Sequence, residues 1–452
     1  MQPQDANLRW VLYPLAAAGF LLFFAAARDK HKLLWGLFLL SLQADLKLRF
    51  FFGHAGSEGL AFPLAVVAGF AVLGHGIVSG RFGSHSRFVW AGRLRPALIA
   101  FFATSVFSLL GTSERFVGLT QLLFEIELFL MYWLALNLVR SEADIKSTLS
   151  ILYIALGIQS IIYFMQSALG VTFTMAGEVF ALGELPRPGG TVGKNPAMFA
   201  SFILPILLIV IAQFLTVESP RERRRMGVLS LAGVAALILT FTRAAWVAFA
   251  VGTMSLIIFG YRRRALRLSR FAPVGAAIVG VVLVFSPMIV NRLSTSPVSA
   301  DYEERLRLMR IALRVVAAHP IAGVGIGAYN SIYKSFLNAD EQGQWVFAVH
   351  NAYLLRAAET GVPGACAFVM LLVLGLLQAV RLARARSRFI RTVALGAGAG
   401  FLALSCEMYW DTWWAGFTYN ALLWFLLGLM EAAERLEKRK ARRPVEALAA
   451  VA

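Results

Sequence analysis

The sequence predicts an all-α, polytopic integral membrane protein, and three observations support this. Of its 452 residues 59% are hydrophobic and only 15% charged, with a mean hydropathy of +0.69, whereas a soluble domain is about 45–50% apolar and about 25% charged. The apolar residues fall in repeated runs of about 16–24, long enough to cross a bilayer as helices and too long and uniform for barrel strands. The Lys and Arg that give the net charge of +18 sit mainly in short connectors between the runs, which is the positive-inside pattern. That placement gives the charge a topological meaning. No basic, aromatic-interleaved soluble domain is present, so no nucleic-acid partner is expected.

Taken in order, the first run is about 10–27 and reads as a retained span, because no basic n-region, short apolar region and small-residue cleavage site precede it. The second, about 33–52, is interrupted by Asp45, Lys47 and Arg49 and reads as a half-span or interfacial helix, since intramembrane charge is costly. Spans follow at about 60–79, 96–111, 118–138 and 147–169. A Gly/Pro-rich loop at about 170–195 leads into a seventh span at about 197–216. The eighth and ninth, about 227–241 and 245–260, are separated only by Thr242, Arg243 and Ala244. The tenth is about 271–290, and a polar segment covers about 291–355. The eleventh to thirteenth are about 361–380, 392–408 and 416–433. The total is about 12 or 13 transmembrane helices in a single transmembrane domain, 1–434, followed by a basic tail, 435–452, that reads as disordered. Cys366 and Cys406 both lie in apolar spans, so no disulfide framework is expected.

The basic connectors fall on every second loop, near 28–32, 81–95, 140–146, 221–225, 262–270, 381–391 and in the tail. The rule assigns these to the cytoplasm and puts the loops near 53–59, 112–117, 170–195, 243, 291–355 and 409–415 on the other face. Arg187, Arg243, Arg292, Arg305, Arg307, Arg310 and Arg314 then lie on the face that the rule depletes of arginine. Arg243 is the oddest, filling a minimal turn between two apolar spans. A semi-buried guanidinium normally has an anionic partner.

The polar segment opens with Glu303–Val316, whose apolar residues recur at helical spacing and predict an amphipathic helix lying in the interface. Gly323, Gly325 and Gly327 break it. Their spacing is not a dinucleotide fingerprint, and a tight turn with close backbone approach suffices. His350 stands where the segment meets the eleventh span. A lone loop histidine is commonly structural, but a neutral imidazole can also take a proton from a hydroxyl. No Cys/His/Asp spacing suggests zinc, and no metal or other cofactor is expected. Outer-face arginines can hold phosphate or pyrophosphate bidentately. A base with an anion clamp suits attack of an alcohol on a donor whose leaving group is a phosphate. Glu125 and Glu127 in the fifth span read as partners for Arg or Lys within the bundle rather than as a transport site. Trp410, Trp413 and Trp414 read as an interfacial belt, with contact to a polyprenyl chain or sugar as the alternative.

Four stretches together resemble the O-antigen ligase and O-antigen polymerase superfamily of bacterial envelope glycosyltransferases. Arg187-Pro-Gly-Gly-Thr-Val-Gly-Lys-Asn-Pro196 is similar to that family's Arg-x-x-Gly-Thr-x-Gly-x-x-Asn-Pro region, one residue shorter before Asn. Leu239–Trp246 is similar to its Ser/Thr-Arg-Gly/Ala-Ala-Trp turn, and Arg305 followed by His319–Gly327 to its Arg-to-Pro-Leu-x-Gly-x-Gly segment. His350–Gly361 is similar to its His-Asn-x-Tyr-Leu and Glu-x-Gly block, while Met309 stands where many members carry Trp. These motifs cover 187–364, within a ligase-like region of about 187–380. The resemblance implies a GT-C-like fold in the bacterial inner membrane with a long periplasmic loop and an active site on the periplasmic face. It implies a metal-independent, inverting transfer of a glycan from an undecaprenyl-pyrophosphate-linked donor to an acceptor hydroxyl, on lipid A–core, another lipid-linked glycan or a protein. His350 would be the catalytic base, Arg243 and Arg305 would bind the pyrophosphate with Arg187 contributing, and membrane lipids would surround the site. Two rivals are a flippase or polysaccharide transporter, for which Glu125, Glu127 and Asp45 are too few polar groups to line a path, and a non-catalytic assembly subunit.

Overall fold

The computed structural model describes residues 29–50, 60–80, 88–112, 114–173, 175, 179–182, 187–262, 270–295, 298–342, 348–411 and 416–449. The expected first span at about 10–27 and residues Trp413 and Trp414 lie outside the described residues. The architecture is helical: α1 Lys30–Ser41, α2 Leu64–Val78, α3 Arg95–Ser108, α4 Arg115–Leu138, α5 Glu142–Leu169, α6 Pro196–Thr216, α7 Pro220–Leu239, α8 Arg243–Arg262, α9 Phe271–Val284, α10 Ser286–Thr295, α11 Val298–Ala318, α12 Tyr329–Ile332, α13 Ala352–Leu382, α14 Arg388–Glu407 and α15 Phe417–Ala449. Six of these, α4, α5, α6, α8, α13 and α14, are long and apolar enough to cross a membrane, and α2, α3 and α9 are shorter apolar helices.

α6 is the central post. Apolar on all sides, it is a helix of the fully buried type, and 83% of its most apolar window is covered by protein. α14 lies against it through small residues: a Cβ on Gly400 would come within 2.7 Å of Pro205 and one on Gly396 within 2.6 Å of Ile209. Such small-residue seams let helix backbones approach where lipid provides no hydrophobic drive.

Three expectations are corrected. Residues 47–50 do not continue the second span as a helix. Lys47–Phe50 form a strand, β1, paired antiparallel with β2, Leu60–Pro63, because Lys47-Leu48-Arg49-Phe50 alternates polar and apolar at the strand period of two. The tail, expected to be disordered, is helical over its described residues, where α15 continues to Ala449. Its basic stretch finds acidic partners, with Lys438 bridging Glu434 at 2.7 Å and Lys440 bridging Glu142 at 3.0 Å. Finally, α11 does not present its apolar stripe to lipid. Leu308, Ile311, Ala312 and Val315 are buried in a second, smaller core with Val324, Tyr329, Val349, Leu355 and Ala358.

The basic connectors gather at one end of the bundle. Arg388 pairs with Glu218 at 2.5 Å, Arg270 donates to the Val217 carbonyl at 2.7 Å, and Arg93 pairs with Glu434 at 2.5 Å. Helix α5 begins at this end, beside Lys440. The turn before α8 and the ends of α3 and α14 therefore fall at the opposite end, where the polar segment packs: the Ile326 amide donates to Ser108 Oγ at 3.1 Å and the Ala352 amide to the Met408 carbonyl at 2.9 Å.

Candidate functional site

Residues 188–193 of the Gly-rich loop are a non-helical stretch buried within the bundle, held by side chains and carbonyls of neighbouring elements. The Gly190 amide donates to Gln166 Oε1 at 3.0 Å and the Thr191 amide to Gln159 Oε1 at 3.2 Å. Thr191 Oγ1 donates to the Gln43 carbonyl at 2.9 Å. Buried backbone groups cut off from water require such internal partners. Gly190 has φ +63, and a Cβ there would sit 2.5 Å from Gln159 Oε1, so the turn needs glycine on both counts. Asn195 then caps α6 by accepting from the Ala197 amide at 2.9 Å, with Pro196 in the first turn.

This loop delivers Arg187 to the turn that carries Arg243. Arg187 Nε donates to the Thr240 carbonyl at 2.8 Å and a terminal nitrogen donates to the Phe241 carbonyl at 3.4 Å. Both carbonyls lie just past the last residue of α7, in the turn that leads into α8. Phe241 holds φ +50, a left-handed conformation that is strained for a bulky residue, and its ring is buried. Arg243 follows as the first residue of α8, half-buried. Below it, Trp246 Nε1 donates to the Ile238 carbonyl at 3.2 Å. Here an apolar cavity of about 450 Å³ opens between α7, α8 and α9, lined by Leu237, Ile238, Trp246, Phe249, Met254 and Ile278 among others.

The second group forms around His350. Asn351 is the N-cap of α13, its side chain accepting from the Leu354 amide at 2.9 Å, and Tyr353 donates its hydroxyl to the Ser405 carbonyl at 2.6 Å. The histidine is thereby fixed at the helix entrance, against the end of α14. Arg305, from α11, donates to the Trp410 carbonyl. His350 is half-buried. Burial pulls its imidazole below the ordinary histidine value, Asp411 opposes that shift, Arg305 reinforces it, and Glu304 opposes it. These four residues therefore share one electrostatic environment, and burial favours the neutral imidazole that a base requires.

The Gly323–Gly327 loop holds this entrance in shape. The Val324 and Gly325 amides donate to the Ala358 and Glu359 carbonyls at 2.9 and 3.0 Å. α13 is kinked at Gly361, where φ is +72 and a Cβ would meet the Ile321 carbonyl at 2.1 Å. The glycine set makes a tight turn with close backbone approach, as its spacing suggested. Six residues past His350, in the second turn of α13, Arg356 is 1% exposed. It pairs with Glu125, donates to Ser105 Oγ at 2.6 Å and stacks over the Phe101 ring at 4.2 Å. Glu125 is thus the buried partner of an arginine, as its position suggested. Glu127 is likewise buried, with Lys47 as its opposing charge.

The four expected site residues fall at one end of the bundle in two pairs. Arg187 meets the Arg243 turn directly, and Arg305 joins His350. The end of α14 links them: it carries Met408, bonded to Ala352, and α8 packs along the same helix. Sequence reasoning missed Asp411 and Glu304 beside His350, and Gln159 and Gln166 beneath the Gly-rich loop. The last two carried a readable signal, as glutamines i and i+7 on one face of an apolar span. Among the described residues, no three His, Cys, Asp or Glu side chains are grouped to hold a metal ion.

The model of a family described as O-antigen ligase matches residues 228–369. The match runs from α7 into α13 and includes Arg243, Arg305 and His350, with Arg187 lying before it. No curated protein matches the chain.

Proposed function

We propose that this member of the O-antigen ligase superfamily joins a glycan, carried on undecaprenyl pyrophosphate, to a hydroxyl of lipid A–core on the periplasmic face of the inner membrane. His350, held neutral, takes the proton from the acceptor hydroxyl. The freed oxygen attacks the anomeric carbon, the glycosyl–phosphate bond breaks, and its electron pair leaves with the pyrophosphate, inverting the anomeric centre. Arg243 and Arg305 stabilise the charge that develops on the diphosphate, since fixed guanidiniums cost no reorganisation during the reaction. Arg187 acts through the turn it braces. Asp411 orients the imidazole and stabilises the imidazolium formed when the proton is taken.

One observation carries this reading: His350 is half-buried at the capped entrance of α13, and Arg305 reaches the Trp410 carbonyl beside Asp411 in the same surroundings. The apolar cavity that opens at Trp246, one turn from Arg243, supports a donor with a diphosphate head and a hydrocarbon tail. The test is purified protein with lipid-linked glycan, offered either lipid A–core or a second lipid-linked glycan. Product on lipid A–core supports the ligase reading, and product only on the lipid-linked glycan makes the protein a polymerase. A well-folded His350→Ala protein that still transfers glycan would refute the assignment of the base. Translocation of lipid-linked glycan by a transfer-dead variant would point to a transporter instead.

A further inference from the structure

The basic end of the bundle holds a cavity of about 480 Å³ between α5 and α7 that the transfer reaction does not use. On α7, Arg221, Arg224, Arg225, Val228 and Leu229 all line it. They occupy positions i, i+3, i+4, i+7 and i+8, a single helical stripe. The stripe changes character along its length, from three guanidiniums in the first turns to two aliphatic side chains in the turns that follow. Glu222 and Arg223 lie off the stripe. α5 completes the wall with Tyr153, Ile154 and Gly157. Tyr153 is 7% exposed, and its hydroxyl has no hydrogen-bond partner among the described residues. A buried hydroxyl left unpaired is costly, and an acceptor entering this cavity would satisfy it. Helical side chains lean towards their own N-terminus, and α5 and α7 both begin at the basic end. The phenol and the guanidiniums therefore lean the same way.

We propose that this cavity is a binding site for an anionic phospholipid. Its phosphate is held by Arg221, Arg224 and Arg225 and accepts from Tyr153, and an acyl chain lies along Ile154, Val228 and Leu229. A free phosphate shares the headgroup chemistry but leaves the apolar half of the stripe uncovered, and this favours the lipid.

The test is native mass spectrometry of the full-length protein, titrated with phosphatidylglycerol, phosphatidylcholine or inorganic phosphate. Phosphatidylglycerol should be retained about tenfold more strongly than phosphatidylcholine, since each basic residue near an anionic headgroup contributes measurably. The triple variant Arg221→Gln, Arg224→Gln, Arg225→Gln should abolish that preference. Tyr153→Phe, which leaves the packing and charge intact, should weaken retention by about threefold or more. A control with the same loss of charge, Arg381→Gln, Arg384→Gln, Arg386→Gln, should leave it unchanged. Equal retention of the two lipids, an equal loss in the control, or no response to Tyr153→Phe would each overturn the proposal. Displacement of the lipid by inorganic phosphate at matched concentration would assign the site to free phosphate instead.

Discussion

Replacing Arg356 alone should be far more damaging than replacing it together with Glu125. Arg356 and Glu125 are 1% and 0% exposed, so neither charge can fall back on water when the other is removed. Removing one member of a buried pair costs about 3–5 kcal/mol, whereas exchanging both for apolar residues of similar volume is often neutral or stabilising. Arg356→Met should therefore shift the folding equilibrium by about two to three and a half powers of ten, at about 1.4 kcal/mol for each. Glu125→Leu with Arg356→Met should recover most of that. The measurement is a double-mutant cycle of denaturant unfolding in mixed micelles, followed by helicity and by glycan transfer. The single variant should also lose transfer under conditions where the bundle is still folded, because Arg356 anchors the first turns of α13, at whose entrance His350 sits. A cycle in which the two changes simply add, to within about 0.5 kcal/mol, would refute the reasoning: the pair would then contribute nothing as a pair.

Three further outcomes are expected. The acid limb of kcat/KM should lie below the ordinary histidine range, because burial holds the His350 imidazole down. Arg305→Gln removes a lowering influence and should move the limb to higher pH, Asp411→Asn removes a raising influence and should move it to lower pH, and pH–rate profiles read both. Arg187→Ala should reduce transfer through the turn that presents Arg243, so the double variant with Arg243→Ala should be no worse than Arg243→Ala alone, as single and double rates would reveal. Gly170→Ala and Gly190→Ala both force a side chain onto left-handed backbone, at about 1–2 kcal/mol. Only at Gly190 would the new Cβ also meet neighbours, at 2.5 Å from Gln159, while at Gly170 nothing lies within 4 Å. Gly190→Ala should therefore be the more destabilising of the two by thermal unfolding.

Much of the helical layout was legible because apolar runs and basic punctuation are local signals. The same is true of one of the site's local pieces: Arg243 stands out for its place in a minimal turn. What remained hidden depends on distant partners. Arg356 lay in plain view beside His350, yet its carboxylate is 231 residues away. The periodicity of α11 showed an apolar stripe but not that Val324, Tyr329 and Leu355 would cover it. Asp411 follows a tryptophan-containing turn in the sequence, and only the fold brings it to the imidazole. The basic tail looked like solvated charge because its acidic partner Glu142 comes from another helix.

The kink at Gly361 has a practical consequence for building chimaeras. Leu355 and Ala358, before the kink, pack into the small core with α11, while Phe368 and Leu371, after it, belong to the main bundle. An exchange of the polar segment between related proteins, made to alter which acceptor is used, should therefore be cut at Gly361 and not at His350, so that each half keeps its own packing. The transplanted piece would carry position 356 with it. A donor without arginine there would leave Glu125 bare inside the recipient, so the two positions must travel as one unit.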